Sequence, residues 1–127
     1  MKEVIRTANA PQAIGPYSQA IRVGDFLFAS GQIPINPASG EIVAGGIEEQ
    51  TGQVMENIKQ VLAAAGLDFS HVVKTTVFIT SMADFAAVNQ IYGRYFPENP
   101  PARSCVAVAE LPKGARVEVE VIACARK

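Results

Sequence analysis

Three stretches of this 127-residue chain, Phe26-Leu27-Phe28, Val77-Phe78-Ile79 and Val121-Ile122-Ala123, are apolar at consecutive positions inside β-branched, strand-like runs. Side chains on a strand alternate between faces, so an unbroken apolar run needs cover on both sides of its sheet. The cover available within the chain is limited. Helical periodicity predicts one helix over 47–65, with Ile47, Thr51, Val54, Ile58, Val61 or Leu62, and Ala65 on one side, and a second over 82–96. Two helices shield one face of a sheet, so the pattern itself calls for further copies of the chain against the other.

The remaining punctuation completes an α+β order, β-β-β-α-β-α-β-β, built on one mixed six-stranded sheet with both helices on one face. Strands are expected at 4–6, 18–23, 26–30, 72–80, 103–109 and 116–125, and the chain reads as a single domain over residues 1–127. Gly24-Asp25 between two apolar runs predicts a two-residue hairpin, with the glycine at positive φ in a type II′ turn. Residues 31–46 hold Pro34, Pro37 and four glycines and are expected to form a long loop. Gly66 is placed as a left-handed cap for the first helix, with Leu67 as its apolar partner. Ser81 and Asp84 give the second helix a capping-box-like start. Phe85, Val88, Tyr92 and Tyr95 form its stripe, and Pro97 stops it.

Charge and composition narrow the chemistry. Eleven Lys and Arg against twelve Asp and Glu leave a net charge of −1, and the one terminal basic pair, Arg126-Lys127, reads as a solvated tail. Phosphate neutralisation supplies most nucleic-acid affinity, so this balance counts against a nucleic-acid partner. No apolar run approaches a membrane span, and the opening residues lack the apolar core of a secretory signal; a soluble, cytoplasmic protein is expected. Cys105 and Cys124 have no metal-ligand spacing and read as free thiols in a reducing compartment. His71 is the only histidine, which rules out a multi-histidine metal site within one chain, and its turn-like setting reads as strand entry. Chemistry must then come from Arg, Glu, Tyr, Asn, Cys or backbone groups.

Alternation places Arg103, Cys105 and Ala107 on one face of their strand, and Arg116, Glu118 and Glu120 on one face of theirs. Two readings are open. Arg103 or Arg116 pairs with Glu118 or Glu120 across neighbouring strands, as charged pairs in sheets commonly do. Alternatively Arg103 presents its planar fork to a ligand carboxylate while Glu118 orients a water. Tyr17, aimed by Gly15-Pro16, is either a core aromatic or a pocket phenol. Asn89 interrupts the second helix's stripe and either sits at its edge or serves a ligand.

The motifs AIGPYSQA at 13–20, SGQIP at 30–34, VKTTVFI at 73–79 and PARSCV at 101–106, with LPK at 111–113 and VEV at 117–119, run almost end to end. Together they resemble the RidA (YjgF-like) family of imine and enamine deaminases. That resemblance implies a chorismate-mutase-like fold and a homotrimer with a central barrel. It implies hydrolysis of 2-iminobutanoate and 2-iminopropanoate, by-products of pyridoxal-phosphate enzymes, to 2-oxo acids and ammonia, with small imino and 2-oxo acids as the ligands. It implies Arg103 as the carboxylate clamp and Glu118 as the group that positions water, with Tyr17, Ser30, Gly31, Asn89 and Cys105 lining the pocket. No metal or organic cofactor is implied. Gly45-Gly46 and the stretch near Asn99 depart from the family pattern in loops, which bears on substrate range. The alternative function is a non-catalytic metabolite-binding regulatory trimer or, further off, a ribonuclease.

Overall fold

Strand β8, Val117–Cys124, lies in the middle of the sheet although it comes late in the chain. The computed structural model describes residues 1–126, so Lys127 of the basic terminal pair lies outside the described residues. The other strands of the sheet are β1 (Glu3–Ile5), β2 (Ala20–Val23), β3 (Phe26–Gln32), β6 (Val72–Ile79) and β7 (Ala102–Ala107), in the order β1-β2-β3-β8-β6-β7. All neighbours are antiparallel except β6 and β7, whose parallel pairing is connected through helix α2, Phe85–Gly93. The mixed six-stranded α+β sheet expected from the pattern is the one observed.

Both helices cover the same face. Helix α1, Ile47–Ala64, buries Val54, Met55, Ile58, Val61 and Leu62 against Leu27, Val77, Val117, Val119 and Val121, all 0–2 % exposed. Burying side chains of this size stabilises the fold by about 1.5–3 kcal/mol each. The opposite face is open: Phe26 and Phe28 are 46 % and 47 % exposed on β3 beside buried Leu27 and Ala29, and Val106 of β7 is 45 % exposed. The uncovered apolar side predicted from the doubled pattern is present. Among the described residues no helix is long and apolar enough to cross a membrane.

Local chemistry explains the element ends. Gly24 has φ +58 and Asp25 does not join it at positive φ, as a type II′ turn between Val23 and Phe26 requires. At the end of α1, the Gly66 N–H donates to the Ala63 carbonyl and the Leu67 N–H to the Leu62 carbonyl, both at 2.9 Å, a Schellman closure.

The second helix is shorter than its periodicity predicts. Residues 82–84 form a 3₁₀ turn capped by the Ser81 hydroxyl, which accepts from the Ala83 N–H at 3.2 Å. Asp84 does not close a capping box; its carboxylate is held by Arg116. At the other end the N–H groups of Arg94, Tyr95 and Phe96 reach back three residues, tightening the turn out of α-helical geometry.

The long loop also holds more order than expected. A ribbon, β4 (Ile35–Asn36) with β5 (Glu41–Ile42), turns on the Asn36 side chain, which accepts from the Ala38 N–H at 2.8 Å. Buried Asn57 of α1 anchors it by donating to the carbonyls of Ile33 and Ile35 at 3.2 and 3.0 Å. His71 enters β6 as expected: its Nδ1 accepts from the Asp68 N–H at 3.1 Å.

Candidate active site

The residues singled out by sequence separate into two groups. On β7, Arg103, Cys105 and Ala107 pair with Thr75, Val77 and Ile79 of β6. Those partners are 0 % exposed beneath the helices, so Arg103 and Cys105 point to the helix-covered face. On β8, Glu118 pairs with Phe78, whose parity is the opposite one, and so points to the open face. The cross-strand pairing of Arg103 with Glu118 or Glu120 is therefore not formed.

Arg103 is held by α2. Its Nη1 donates to Asn89 Oδ1 at 2.6 Å, and its guanidinium carbon lies 5.6 Å from the Phe85 ring centre and 5.0 Å from that of Tyr92. Tyr92 is fixed in turn by a buried hydroxyl contact with Thr75 at 2.7 Å. Burial pushes the Tyr92 phenol up and that effect outweighs the Thr75 bond and Arg103, so the ring is neutral beside the cation. Asn89, which interrupts the helix stripe, thus has Arg103 as its partner. Cys105 sits two residues along, half-buried, and burial raises its thiol more than the Arg103 charge lowers it.

The second group surrounds Glu118. The carboxylate is half-buried, raised from its ordinary range first by burial and then by the charge of Glu120. It stands against Gly31: a Cβ there would fall on Glu118, 2.8 Å from its Cδ and 3.0 Å from its Cγ. Gly31 and Ser30 form a bulge where β3 passes β8, since Ala29 pairs with Val121 and the next pairing is Gln32 with Val119. The bulge turns the Ser30 hydroxyl to the Ser18 carbonyl, to which it donates at 2.6 Å. Tyr17 is half exposed and not a core aromatic; its hydroxyl accepts from the Ile14 N–H at 3.3 Å. Tyr17, Ser30, Gly31 and Glu118 line one cleft of about 350 Å³, completed by Ile14, Ile33 and Pro112. Motif analysis had not picked out these three apolar residues, although all three lie inside the quoted motifs.

Arg116 departs from its expected place beside Glu118. It precedes β8, and its Nη2 donates to both oxygens of Asp84 at 2.9 and 3.0 Å while its N–H donates to the buried Gln50. That pair ties the start of β8 to α2 and is structural. Among the described residues no three His, Cys, Asp or Glu side chains converge on one point.

The two groups offer complementary chemistry. One offers a cation whose planar fork fits a carboxylate. The other offers a carboxyl group of raised proton affinity beside a cleft, suited to taking up and returning a proton.

Comparison with known proteins places the chain among sequences of one family. Residues 7–125 match the family model described as Endoribonuclease L-PSP. A RutC family protein of Pyrococcus horikoshii is 57 % identical over 123 residues, spanning 97 % of this chain and 98 % of that one. The human 2-iminobutanoate/2-iminopropanoate deaminase is 50 % identical over 123 residues, spanning 97 % and 90 %. Escherichia coli TdcF, solved with bound serine, superposes with a TM-score of 0.92 at 45 % identity, over 96 % of this chain and 98 % of that one.

Proposed function

The chain belongs to the endoribonuclease L-PSP family, the RidA-like family its motifs resemble, and from that premise we propose that it is a 2-iminobutanoate/2-iminopropanoate deaminase. It works as a homotrimer whose sites lie between copies, and it yields 2-oxo acids and ammonia. The observation that carries the reading is the pair of complementary half-sites on opposite faces of one sheet. Arg103 lies on the edge strand β7, where a neighbouring copy can reach it, and Glu118 lies on the open face that needs cover. Packing one copy's edge against the next copy's open face would bury the apolar residues and join the two halves in one act.

The chemistry follows from the residues. The Arg103 fork holds the substrate carboxylate in two-point fashion and so fixes where the adjacent imine carbon lies. A water beside Glu118 adds to that carbon, forming a C–O bond as the C=N π pair moves to nitrogen. Glu118 takes the proton of the water and returns it to nitrogen. Glu118 then carries the carbinolamine hydroxyl proton to the amino nitrogen, the C–N bond breaks with its pair leaving on ammonia, and the oxygen lone pair closes the carbonyl of the 2-oxo acid. An imine is already electrophilic, so positioning one water is the main task and no covalent nucleophile is needed. The bound serine of TdcF, a small molecule bearing the same carboxylate next to a nitrogen-bearing carbon, accords with the size of such a ligand.

The test generates 2-iminobutanoate in place with threonine dehydratase and follows release of 2-oxobutanoate. Faster release with this protein supports the reading. Release at the uncatalysed rate at micromolar protein rejects it in favour of the metabolite-binding alternative.

A further inference from the structure

Phe85, Asn89 and Tyr92 lie at i, i+4 and i+7 along α2, so they share one helix face, and Arg103 of β7 lies against all three. By periodicity Phe85 and Tyr92 read as core stripe. Tyr92 fits that description, being 6 % exposed, but its hydroxyl is tied to Thr75 and its ring is turned to the guanidinium. We propose that Phe85 and Tyr92 are positioning residues: their two rings and the Asn89 carbonyl oxygen fix the plane of the Arg103 guanidinium, so that a ligand carboxylate meets it edge-on. This deepens the deaminase reading and rests on it for the identity of the ligand.

The geometry shows why a cradle is needed. Arginine has four side-chain torsions, and a fork that can rotate binds a carboxylate at the cost of its own freedom. Asn89 takes one Nη1 proton at 2.6 Å and so pins the end of the side chain. The rings, at 5.0 and 5.6 Å, attract the cation through their π faces and limit its tilt. What remains open is the in-plane edge carrying the other N–H groups, which is the edge that fits a carboxylate. Thr75 completes the device by holding Tyr92 from the sheet. None of these contacts depends on a partner chain, so the half-site is preformed before any ligand arrives.

The experiment measures Kd for 2-oxobutanoate by calorimetry and kcat/KM for imine hydrolysis on wild type, Phe85→Leu, Phe85→Tyr, Arg103→Lys and the Phe85→Leu/Arg103→Lys double variant. Phe85→Leu keeps an apolar side chain, somewhat smaller, but loses the ring. It should weaken binding by about three- to tenfold, the strength of one partly exposed cation–π contact, with melting close to wild type. Phe85→Tyr, which keeps the ring, should restore it. In the Arg103→Lys background the same Phe85→Leu change should alter binding by less than about twofold, because an ammonium has no plane to orient. Equal losses in both backgrounds, or unchanged binding by folded Phe85→Leu, would overturn the proposal. Should Phe85→Leu melt early, Tyr92→Phe, which retains its ring without the Thr75 bond, gives the second reading: it should weaken binding measurably relative to wild type but not in the Arg103→Lys background, and unchanged binding or equal losses in both overturn the proposal. Wild type that binds 2-oxobutanoate with this coupling but does not hydrolyse imine rejects the deaminase reading alone. Wild type that does not bind it rejects both.

Discussion

Arg103 and Glu118 stand on opposite faces of the same sheet, set there by the pairing of Arg103 with Thr75 and of Glu118 with Phe78 on a shared neighbour strand. If Arg103 is the clamp and Glu118 the base, as proposed, a single chain cannot bring both to one substrate. Two copies can. Mixing Arg103→Ala with Glu118→Gln subunits after unfolding and refolding together should recover part of the activity each lacks alone. No recovery, with mixed assemblies confirmed by native mass spectrometry, would contradict a site shared between copies. Light scattering should give a trimer with a large, permanent interface; a stable monomer at micromolar concentration contradicts the shared site.

Arg103→Lys and Arg103→Ala should both fold yet lose imine hydrolysis by on the order of a hundredfold or more, the effect of removing a charge-assisted contact worth about 2–5 kcal/mol. Melting temperature and rate are to be read on the same samples. Early melting of Arg103→Ala, with wild-type turnover by its folded fraction, would mean the arginine serves only Asn89 and the fold.

Gly31→Ala should leave the fold intact and cut activity sharply. The backbone at this glycine is not in the left-handed region, so alanine is not strained there, but its Cβ displaces the Glu118 carboxylate. In a Glu118→Gln background the same change should cost little more, since the group it displaces is already disabled. Additive losses would show that Gly31 acts by another route.

The acid limb of the kcat/KM profile should move down in pH on Glu120→Gln. Catalysis needs Glu118 ionised, and Glu120 raises its proton affinity through charge repulsion. Removing that charge favours ionisation, so activity persists to lower pH. A limb that stays in place or moves up separates Glu118 from the titration.

Cys105→Ala and Cys105→Ser should keep substantial activity. Burial raises the thiol, leaving little thiolate, and no histidine among the described residues lies beside it to act as base. An abolished rate in an intact assembly would make it a participant.

Much of the frame is legible from residue pattern. The hairpin at Gly24, the Gly66 closure and the open apolar face follow from chemistry within a few residues or from periods along one strand. The division of the site was not legible. Alternation says that Arg103 and Cys105 share a side, and that Glu118 and Glu120 share one, but relating the two sets needs the register of β7 and β8 against β6, a property of pairing rather than of either segment. The same limit hid the bulge at Ser30-Gly31, where three residues of one strand span two of another. Arg116 was misplaced because it lies one residue before β8 begins, free of the alternation that governs Glu118. The ribbon at 35–42 left a readable trace, Asn36-Pro37 and Gly40 between two isoleucines, in a segment whose glycines and prolines otherwise spell irregularity.

The central place of β8 has a consequence for how the molecule is made. On one side it pairs with β3, which precedes it by some ninety positions, as in Phe26 with Cys124, and on the other with β6. Until residues 117–124 leave the ribosome, a nascent chain holds two partial sheets, each with an unpaired apolar edge and no common core. Such edges invite pairing with other chains, and contacts this distant in sequence form slowly. Translation stalled just short of Val117 would thus yield not a weakened fold but an aggregation-prone fragment, and custody of the emerging chain by a chaperone should matter most just before residues 117–124 appear.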